Sequence, residues 1–245
     1  MPVKFNINKA YDDFFDKGGK TQFPKSLKEV LKYIQNDKNL DNIKQASYLL
    51  ATAKVESDYY LERWESDYLC GKIGNAYKDT PCESALNYFR SSNGKKNYYS
   101  LGVDEKGLPY FGRGLIQLSG KENYIIYGDL IGVNLEDNGD KALVPKNSYK
   151  IASEYLLRKT FTFIDSDLTK ARKSVNGGTK GLSEVNAEYN LWVSILKEPE
   201  VKFKETNTTK SERVGSVLLY TTLFLAVLGF SIGLSLATRN RWNIE

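Results

Sequence analysis

The sequence contains no histidine and only two cysteines. Without an imidazole, the chain cannot carry Ser-His-Asp or Cys-His catalysis, a His-ligated zinc site or a haem held by His. Cys70 and Cys82 are too few for a disulfide framework, and they do not complete a usual four-ligand zinc site. They either close one loop or stay free, and their scarcity favours two free thiols. No metal or organic cofactor is implied.

Proline is also scarce, with 6 residues against 19 glycines, so the chain has no collagen-like or proline-rich bias. Its 245 residues, 41% of them apolar, predict one compact domain with appendages. The net charge of +5 suits an anionic partner such as a cell wall or lipid head groups, although alternating charges are typical of a solvated surface. No P-loop, zinc-finger or RNP-like motif occurs, so nucleic-acid binding is not expected.

The C-terminal region is the most apolar part of the chain. No charged residue occurs from Val214 to Thr238, and residues 216–237 would form a helix about 33 Å long, enough to cross a bilayer. We therefore expect a transmembrane helix at 214–238 and a short polar tail at 239–245. Gly229 and Gly233 allow two such helices to pack closely, although one such pair is weak evidence for a dimer.

Residues 197–213 are polar and mixed in charge, which is typical of a linker. In the domain before it, residues 1–196, four segments repeat apolar residues with a helical period. Strand-like alternation is scarce, so we expect a mainly α-helical domain with little or no sheet. The four apolar sets are Leu27, Val30, Leu31 and Ile34; Ala46, Leu49, Leu50 and Ala53; Ile151, Ala152, Tyr155 and Leu156; and Leu182, Val185, Tyr189, Trp192, Val193 and Leu196.

A carboxyl group continues the second of these sets. The helix is expected to begin near Asp41 as its N-cap, and Glu56 lies three residues after Ala53 on the same face. A carboxyl group at the edge of a core is partly desolvated, and desolvation favours the protonated form that a general acid needs. Spacing alone favours the alternative, a surface glutamate at a frayed helix end.

A second carboxyl group, that of Glu65, follows nine residues later, after an aromatic segment where the chain is expected to turn. Two carboxyl groups this far apart cannot share one helical turn, so they would face each other across a cleft. Such a pair can hydrolyse a glycosidic bond, and a separation of about 6.5–9.5 Å leaves room for the water of an inverting reaction. Glu62 and Asp58 compete with Glu65 for the second role.

A third segment, YFGRGLIQLSG at 110–120, places two glycines beside Arg113 and carries Gln117 and Ser119. Glycine permits close approach of a ligand to the backbone, and Gln and Ser supply donors and acceptors for sugar hydroxyls and a water. A lone Gly-Arg-Gly is otherwise only a turn. The segment is therefore a candidate wall of a sugar site.

Three blocks, in this order, resemble glycoside hydrolase family 19, which comprises chitinases and phage endolysins with a lysozyme-like fold. They are ATAKVESDYYLERWES, YFGRGLIQLSGKENYIIYGDLIG and the Val-Asn-Gly-Gly at 175–178. The similarity covers residues 43–196. It implies a lysozyme-like α-helical domain and an inverting acid/base mechanism.

The resemblance also assigns roles to individual residues. Glu56 matches the general acid, Glu65 the general base, with Glu62 as a fallback, and Ser119 the residue that positions the attacking water. One departure is Val55, which stands where the family commonly has His. The absence of this His is expected to affect the geometry of the cleft and the rate of hydrolysis.

Four further residues match positions around the family's substrate site. Gln117 and Asn176 match positions that line the substrate cleft. Tyr110 and Arg113 belong to the same binding segment and are expected mainly to support its loop.

The resemblance implies hydrolysis of β-1,4 bonds in peptidoglycan or a chitin-like oligosaccharide. The compact domain and the expected membrane anchor favour peptidoglycan, and hence a phage lysin in a virion membrane or the host cell envelope. More Lys and Arg precede the span than follow it, which places the domain on the cytoplasmic side, away from a wall, so the topology stays open. The alternatives are a chitinase, a lytic transglycosylase, and a non-catalytic glycan-binding or structural membrane protein.

Overall fold

The computed structural model describes residues 3–65, 82–90 and 97–197. All of them belong to Met1–Glu198, the first of the two compact units into which the chain divides. The linker expected at 197–213 lies outside the described residues except for Lys197, and so do the expected membrane span at 214–238 and Cys70. Within the described ranges, no helix combines the length and the apolar character needed to cross a bilayer.

The described ranges contain eight α-helices and two short 3-10 helices, at Tyr98–Leu101 and Gly139–Leu143. In place of strands, these ranges hold only isolated antiparallel bridges. The prediction of a mainly α-helical domain with little or no sheet is therefore confirmed for the described residues. The α-helices are α1 (Ile7–Asp16), α2 (Pro24–Gln35), α3 (Ile43–Ser57), α4 (Glu83–Arg90), α5 (Lys121–Ile131), α6 (Pro145–Lys159), α7 (Leu168–Asn176) and α8 (Leu182–Leu196).

Helix α3 is the centre of the core and packs most extensively against α8. Every residue from Ala46 to Ala53 is buried, so the helix is enclosed on nearly all sides. Helix α1 packs on α8 through Phe14, whose ring stacks on Trp192 with the ring centroids 5.0 Å apart. The rigid core therefore holds the C-terminal turn of α3, where Glu56 lies.

The N-terminus of α3 lies one residue later than the sequence predicts. Asn42, not Asp41, is the N-cap, and its side chain accepts a hydrogen bond from the Gln45 backbone N–H at 3.0 Å. The Gln45 side chain in turn accepts from the Asp41 backbone N–H at 2.7 Å. This reciprocal arrangement satisfies two backbone donors at once, which explains why the cap lies at Asn42.

The C-terminus of α3 ends in two consecutive residues with positive φ, Asp58 at 54° and Tyr59 at 66°. Side chains on both sides of the turn hold this unfavourable backbone in place. Asp58 pairs with Lys54 and accepts from the Gln22 backbone N–H, and the Tyr59 carbonyl accepts from Ser26. The turn therefore ends α3 directly after Glu56 and Ser57.

A smaller aromatic cluster lies apart from the main core. Trp64, Phe89 and Phe111 form it, and the rings of Phe89 and Phe111 stack at 4.4 Å. Cys82 packs against this cluster and is disulfide-bonded. The favoured expectation of two free thiols is therefore wrong, because a count of cysteines carries no information about which of them fold into contact.

Candidate active site

Glu56 lies in the last turn of α3, with its side chain 17% exposed. The Arg172 guanidinium, contributed by α7 and almost fully buried, donates from Nη1 to Glu56 Oε1 at 2.5 Å. Arg172 Nε donates to the Lys180 carbonyl at 2.8 Å, so the same guanidinium also holds the loop after α7. Glu56 is consequently an oriented group and not a glutamate at a frayed helix end.

Asn176 ends α7 and shapes the loop that follows. Its Nδ2 donates to the Lys180 carbonyl at 2.9 Å, and its Oδ1 accepts from the Gly178 backbone N–H at 2.9 Å. Gly177 has a φ of 74°, the left-handed conformation with which glycine commonly ends a helix. Both ends of the Asn176 amide are therefore used within the loop.

Val55, the residue that departs from the family pattern, packs against the end of this loop. A Cβ atom at Gly181 would lie 3.0 Å from Val55 Cγ1 and 3.3 Å from Arg172 Nη2. Gly181 also has a φ of 74°. The absence of a side chain at this position lets the loop, Val55 and Arg172 come together beside Glu56.

These elements enclose a cleft of about 840 Å³, within the size range of ligand sites. The last turn of α3, α7, the following loop and α8 form its walls, and Glu56, Arg172 and Asn176 meet there. Of the sequence-predicted residues, Glu65, Gln117, Ser119, Tyr110 and Arg113 do not line it. In the described part of the chain, no group of three or more acidic or cysteine ligands could hold a metal ion.

Glu65 belongs to a second group of contacts, around Gly112. The Glu65 backbone N–H donates to the Gly112 carbonyl at 2.7 Å, and the Gly112 N–H donates to Glu65 Oε2 at 3.1 Å. Gln117, with a positive φ of 56°, donates through Nε2 to the carbonyls of Arg63 and Gly114. A Cβ atom at Gly112 would lie 3.1 Å from Gln117 Oε1 and 3.4 Å from Glu65 Cβ, so glycine there brings Glu65 and Gln117 together.

Ser119 is half-buried, and its hydroxyl has no hydrogen-bond partner among the described residues. Its backbone carbonyl accepts from Asn123 Nδ2 at 2.8 Å. Ser119 follows the 112–118 segment directly and precedes Gly120, the N-cap of α5. The hydroxyl is therefore available to a water or a sugar.

Tyr110 and Arg113 are both buried, a position that suits support of the loop. The Tyr110 hydroxyl donates to the Glu136 carbonyl at 2.8 Å. Arg113 donates from Nε to Asp140 at 3.0 Å and from Nη1 to the Tyr124 hydroxyl at 2.9 Å. Its guanidinium also lies 3.6 Å from the centre of the Phe111 ring.

Of the two residues that compete with Glu65, Asp58 has a structural role. Its carboxylate pairs with Lys54 and caps the turn after α3. Glu62 is half-buried, and its carboxyl group has no hydrogen bond or ion pair within the described ranges. Glu62 thus remains the alternative to Glu65.

Two tyrosines near Glu56 are not apparent from sequence spacing. Burial raises the pKa of Tyr48 to about 12, with smaller contributions that include the charges of Arg172 and Glu56. Burial and then the Glu56 charge raise the pKa of Tyr155. Both hydroxyls therefore stay protonated at neutral pH and add no charge beside Glu56, whose hydrogen-bond partner is Arg172.

Besides Glu56 and Glu184, Glu188 is a third acidic residue that lines the cleft. The sequence interpretation did not identify Glu188. It accepts a hydrogen bond from the Tyr59 hydroxyl at 3.2 Å, and that hydroxyl accepts from Trp192 Nε1 at 2.8 Å. Burial raises the pKa of Glu188, while the hydrogen bond from Tyr59 opposes the rise. Glu184 and Glu188 are four residues apart on α8, and this spacing places them on one face.

Replacing Glu188 by Gln is expected to raise the thermal midpoint near pH 7. Because its folded-state pKa is raised, Glu188 stabilises the fold while protonated, and this contribution is lost as the pH rises through that pKa. Glutamine keeps an acceptor for Tyr59 without the charge. Thermal unfolding should show a larger gain at about pH 7 than at about pH 4, and an equal gain at both would contradict this account.

The fold resembles solved chitinase structures. A mutant of chitinase C matches with a TM-score of 0.50 and 19% identity, covering 78% of this chain and 91% of that chain. Chitinase C from Streptomyces griseus HUT6037 matches at 0.49 and 18%, with coverages of 78% and 91%. A bacterial family 19 chitinase matches at 0.46 and 19%, with coverages of 81% and 97%.

No protein-family model matches the chain, and no curated protein matches its sequence. At identities below one fifth, the structural likeness concerns the fold alone. The three sequence blocks predicted a fold like that of family 19 chitinases, and the comparison supports this prediction for the fold. The described unit has a chitinase-type, mainly α-helical fold.

Proposed function

We propose that the protein is a glycoside hydrolase that cleaves β-1,4 bonds of peptidoglycan with inversion. The observation that carries the proposal is Glu56, a carboxyl group oriented by Arg172 at the wall of a large cleft. The chitinase-type fold supports the same reaction class. The three sequence blocks supply the partners that this reaction needs.

In the proposed reaction, Glu56 protonates the leaving glycosidic oxygen. Arg172 donates to Oε1, and Oε2 carries the proton that is transferred. Arg172 therefore holds the carboxyl group in one orientation while the bond breaks. After transfer, the guanidinium faces the new carboxylate and stabilises its charge.

The water that attacks the sugar is assigned to Glu65 and Ser119. Both lie outside the lining of the Glu56 cleft, so the proposal requires the bound sugar to extend from that cleft to the Gly112 segment. Glu65 Oε2 accepts from the Gly112 N–H, which fixes the carboxylate and leaves Oε1 to take a proton from the water. The free hydroxyl of Ser119 holds that water through a second hydrogen bond. Gln117 lies beside Glu65 at Gly112. Its hydrogen bonds to the Arg63 and Gly114 carbonyls hold this side of the site in place.

Peptidoglycan is favoured over chitin because of the segment at 214–238. A membrane anchor suits an enzyme that acts on the adjacent wall, either in the host envelope or in the membrane of a lipid-containing virion. A phage lysin would combine the membrane anchor with hydrolysis of the adjacent wall. Cleavage from the virion at genome entry and lysis from the cell membrane differ in where the protein is found, so its presence in purified particles decides between them.

The test is digestion of purified peptidoglycan and of chitin by the full-length protein. We expect new reducing ends from peptidoglycan, with the product formed first as the α-anomer in proton NMR. The control is the Glu56→Gln/Glu65→Gln double variant, which should release none. A 1,6-anhydro product would show a lytic transglycosylase, faster release from chitin would show a chitinase, and glycan binding without cleavage would sink the enzyme proposal.

A further inference from the structure

A second concave site lies between α2, α5 and α6, and we call it the α2–α6 pocket. Its volume is about 270 Å³. Its floor is aromatic and apolar: the ring of Tyr33 stacks on that of Tyr149 with the centroids 5.1 Å apart, and Leu130 and Ile131 lie beside them. Tyr149 is buried against Tyr33, so Tyr33, Leu130 and Ile131 form the apolar surface on which a sugar ring can pack.

The acidic groups of the α2–α6 pocket are saturated by partners within the fold. Asp37 Oδ2 accepts from the Tyr149 hydroxyl at 2.8 Å and from Ser153 Oγ at 2.6 Å. Glu154 accepts from Asn39 Nδ2 at 2.9 Å and pairs with Arg158. The charge of Glu154 is therefore balanced by Arg158, whereas Asp37 keeps its charge and has its hydrogen bonds satisfied by neutral hydroxyls.

The basic groups of the pocket, in contrast, are unpaired. Lys146 and Lys150, one helical turn apart on α6, are exposed and have no ion pair with any described residue. Lys146 lies in the first turn of α6, where the helix dipole adds positive potential. The two ammonium groups outweigh the single carboxylate charge of Asp37, so the pocket has a net positive charge beside its aromatic floor.

The α2–α6 pocket is separate from the cleft that holds Glu56. The two share no lining residue. Helix α6 contributes Tyr149 and Ser153 to the pocket, whereas Tyr155 on the same helix is the residue whose pKa responds to the Glu56 charge. A ligand in the pocket therefore does not occupy the site of cleavage.

We infer that the α2–α6 pocket binds a carboxylate-bearing sugar unit of the wall glycan and holds the strand while the cleft cuts it. This inference rests on the proposed function for its choice of polymer. The aromatic floor receives the sugar ring, and Lys146 and Lys150 receive the carboxylate. The small concave shape favours a sugar over a lipid surface.

The test measures binding without cleavage, in the full-length Glu56→Gln background. Lys146→Glu/Lys150→Glu is compared with Lys4→Glu/Lys25→Glu, a matched charge reversal at exposed lysines outside both sites. The probes are intact glycan strands, strands stripped of peptide, neutral chitin hexamer and anionic lipid vesicles. Reversal at Lys146 and Lys150 should weaken binding to carboxylate-bearing strands at least about fivefold, and the control should not.

The probes separate the sources of the carboxylate and the rival ligands. A loss with stripped strands supports a carboxylate on the sugar, whereas a loss with intact strands alone places the carboxylate on the peptide and overturns the inference. Unchanged strand binding, an equal loss with the neutral hexamer, or a loss confined to vesicles would overturn the inference. Because binding is measured without turnover, failure of the wild type to release reducing ends would sink the proposed function and leave this result standing.

Discussion

Replacing Glu56 by Gln is expected to lower kcat on peptidoglycan by about 10²–10⁴-fold, the usual contribution of a general acid. The side chains are nearly isosteric, and the amide oxygen still accepts from Arg172 Nη1. The cleft should therefore keep its shape while it loses the proton that the leaving oxygen needs. KM and glycan binding should change little, because the substitution acts on the transition state.

The matched control is Glu105→Gln, which makes the same chemical change at an exposed residue outside the site. The measurement is the initial rate of reducing-end release, with near-ultraviolet circular dichroism to verify the fold. Wild-type rates in Glu56→Gln would remove Glu56 from the mechanism. A rate that falls only through a raised KM would make it a binding residue instead.

Replacing Arg113 by Met is expected to lower the free energy of unfolding by about 3–5 kcal/mol, as when one partner of a buried ion pair is removed. The Arg113 side chain is fully buried, and Met fills a similar volume without its charge. Asp140 then keeps only the exposed Lys106 as a cationic partner, and the Pro109 carbonyl keeps only the Phe111 backbone N–H as a donor. A partly buried carboxylate thus loses its buried cationic partner, and a backbone carbonyl loses one of its two donors.

The comparison for this effect is Arg158→Met, which removes an exposed ion pair with Glu154. Such pairs contribute about 0–1 kcal/mol, so the midpoint of urea unfolding should hardly move. Equal shifts for the two variants would contradict the structural role of Arg113. A stable Arg113→Met protein that has lost glycan binding would instead make Arg113 a substrate residue.

The helical framework could be predicted from sequence because its information is local. The apolar sets on α2, α3 and α8 follow a 3.6-residue period, and the structure buries the faces that they define. The end of α3 beside Glu56 was predictable for the same reason. Its N-cap was misplaced by one residue, because Asp41 and Asn42 are both good caps and only the reciprocal bond with Gln45 decides between them.

The partners of the site residues could not be predicted in this way. Arg172 lies 116 residues from Glu56 in sequence, and no local pattern reports such a contact. One usable indication existed: Arg172 and Asn176 are four residues apart and therefore share a face of α7. Glu188 was missed because its environment depends on Tyr59 and Trp192, which only the packing of α3 on α8 brings near.

The Lys180 carbonyl, which accepts from both Arg172 and Asn176, has a consequence for how variants of this protein are compared. Both bonds end on a backbone atom, so any residue at 180 supplies the same acceptor. The geometry of the loop does not depend on the Lys180 side chain, whereas Arg172, Asn176 and Gly181 are constrained together. Two related chains can therefore differ at position 180 and still share the geometry of this loop. Their sequence identity along the loop then understates their structural similarity.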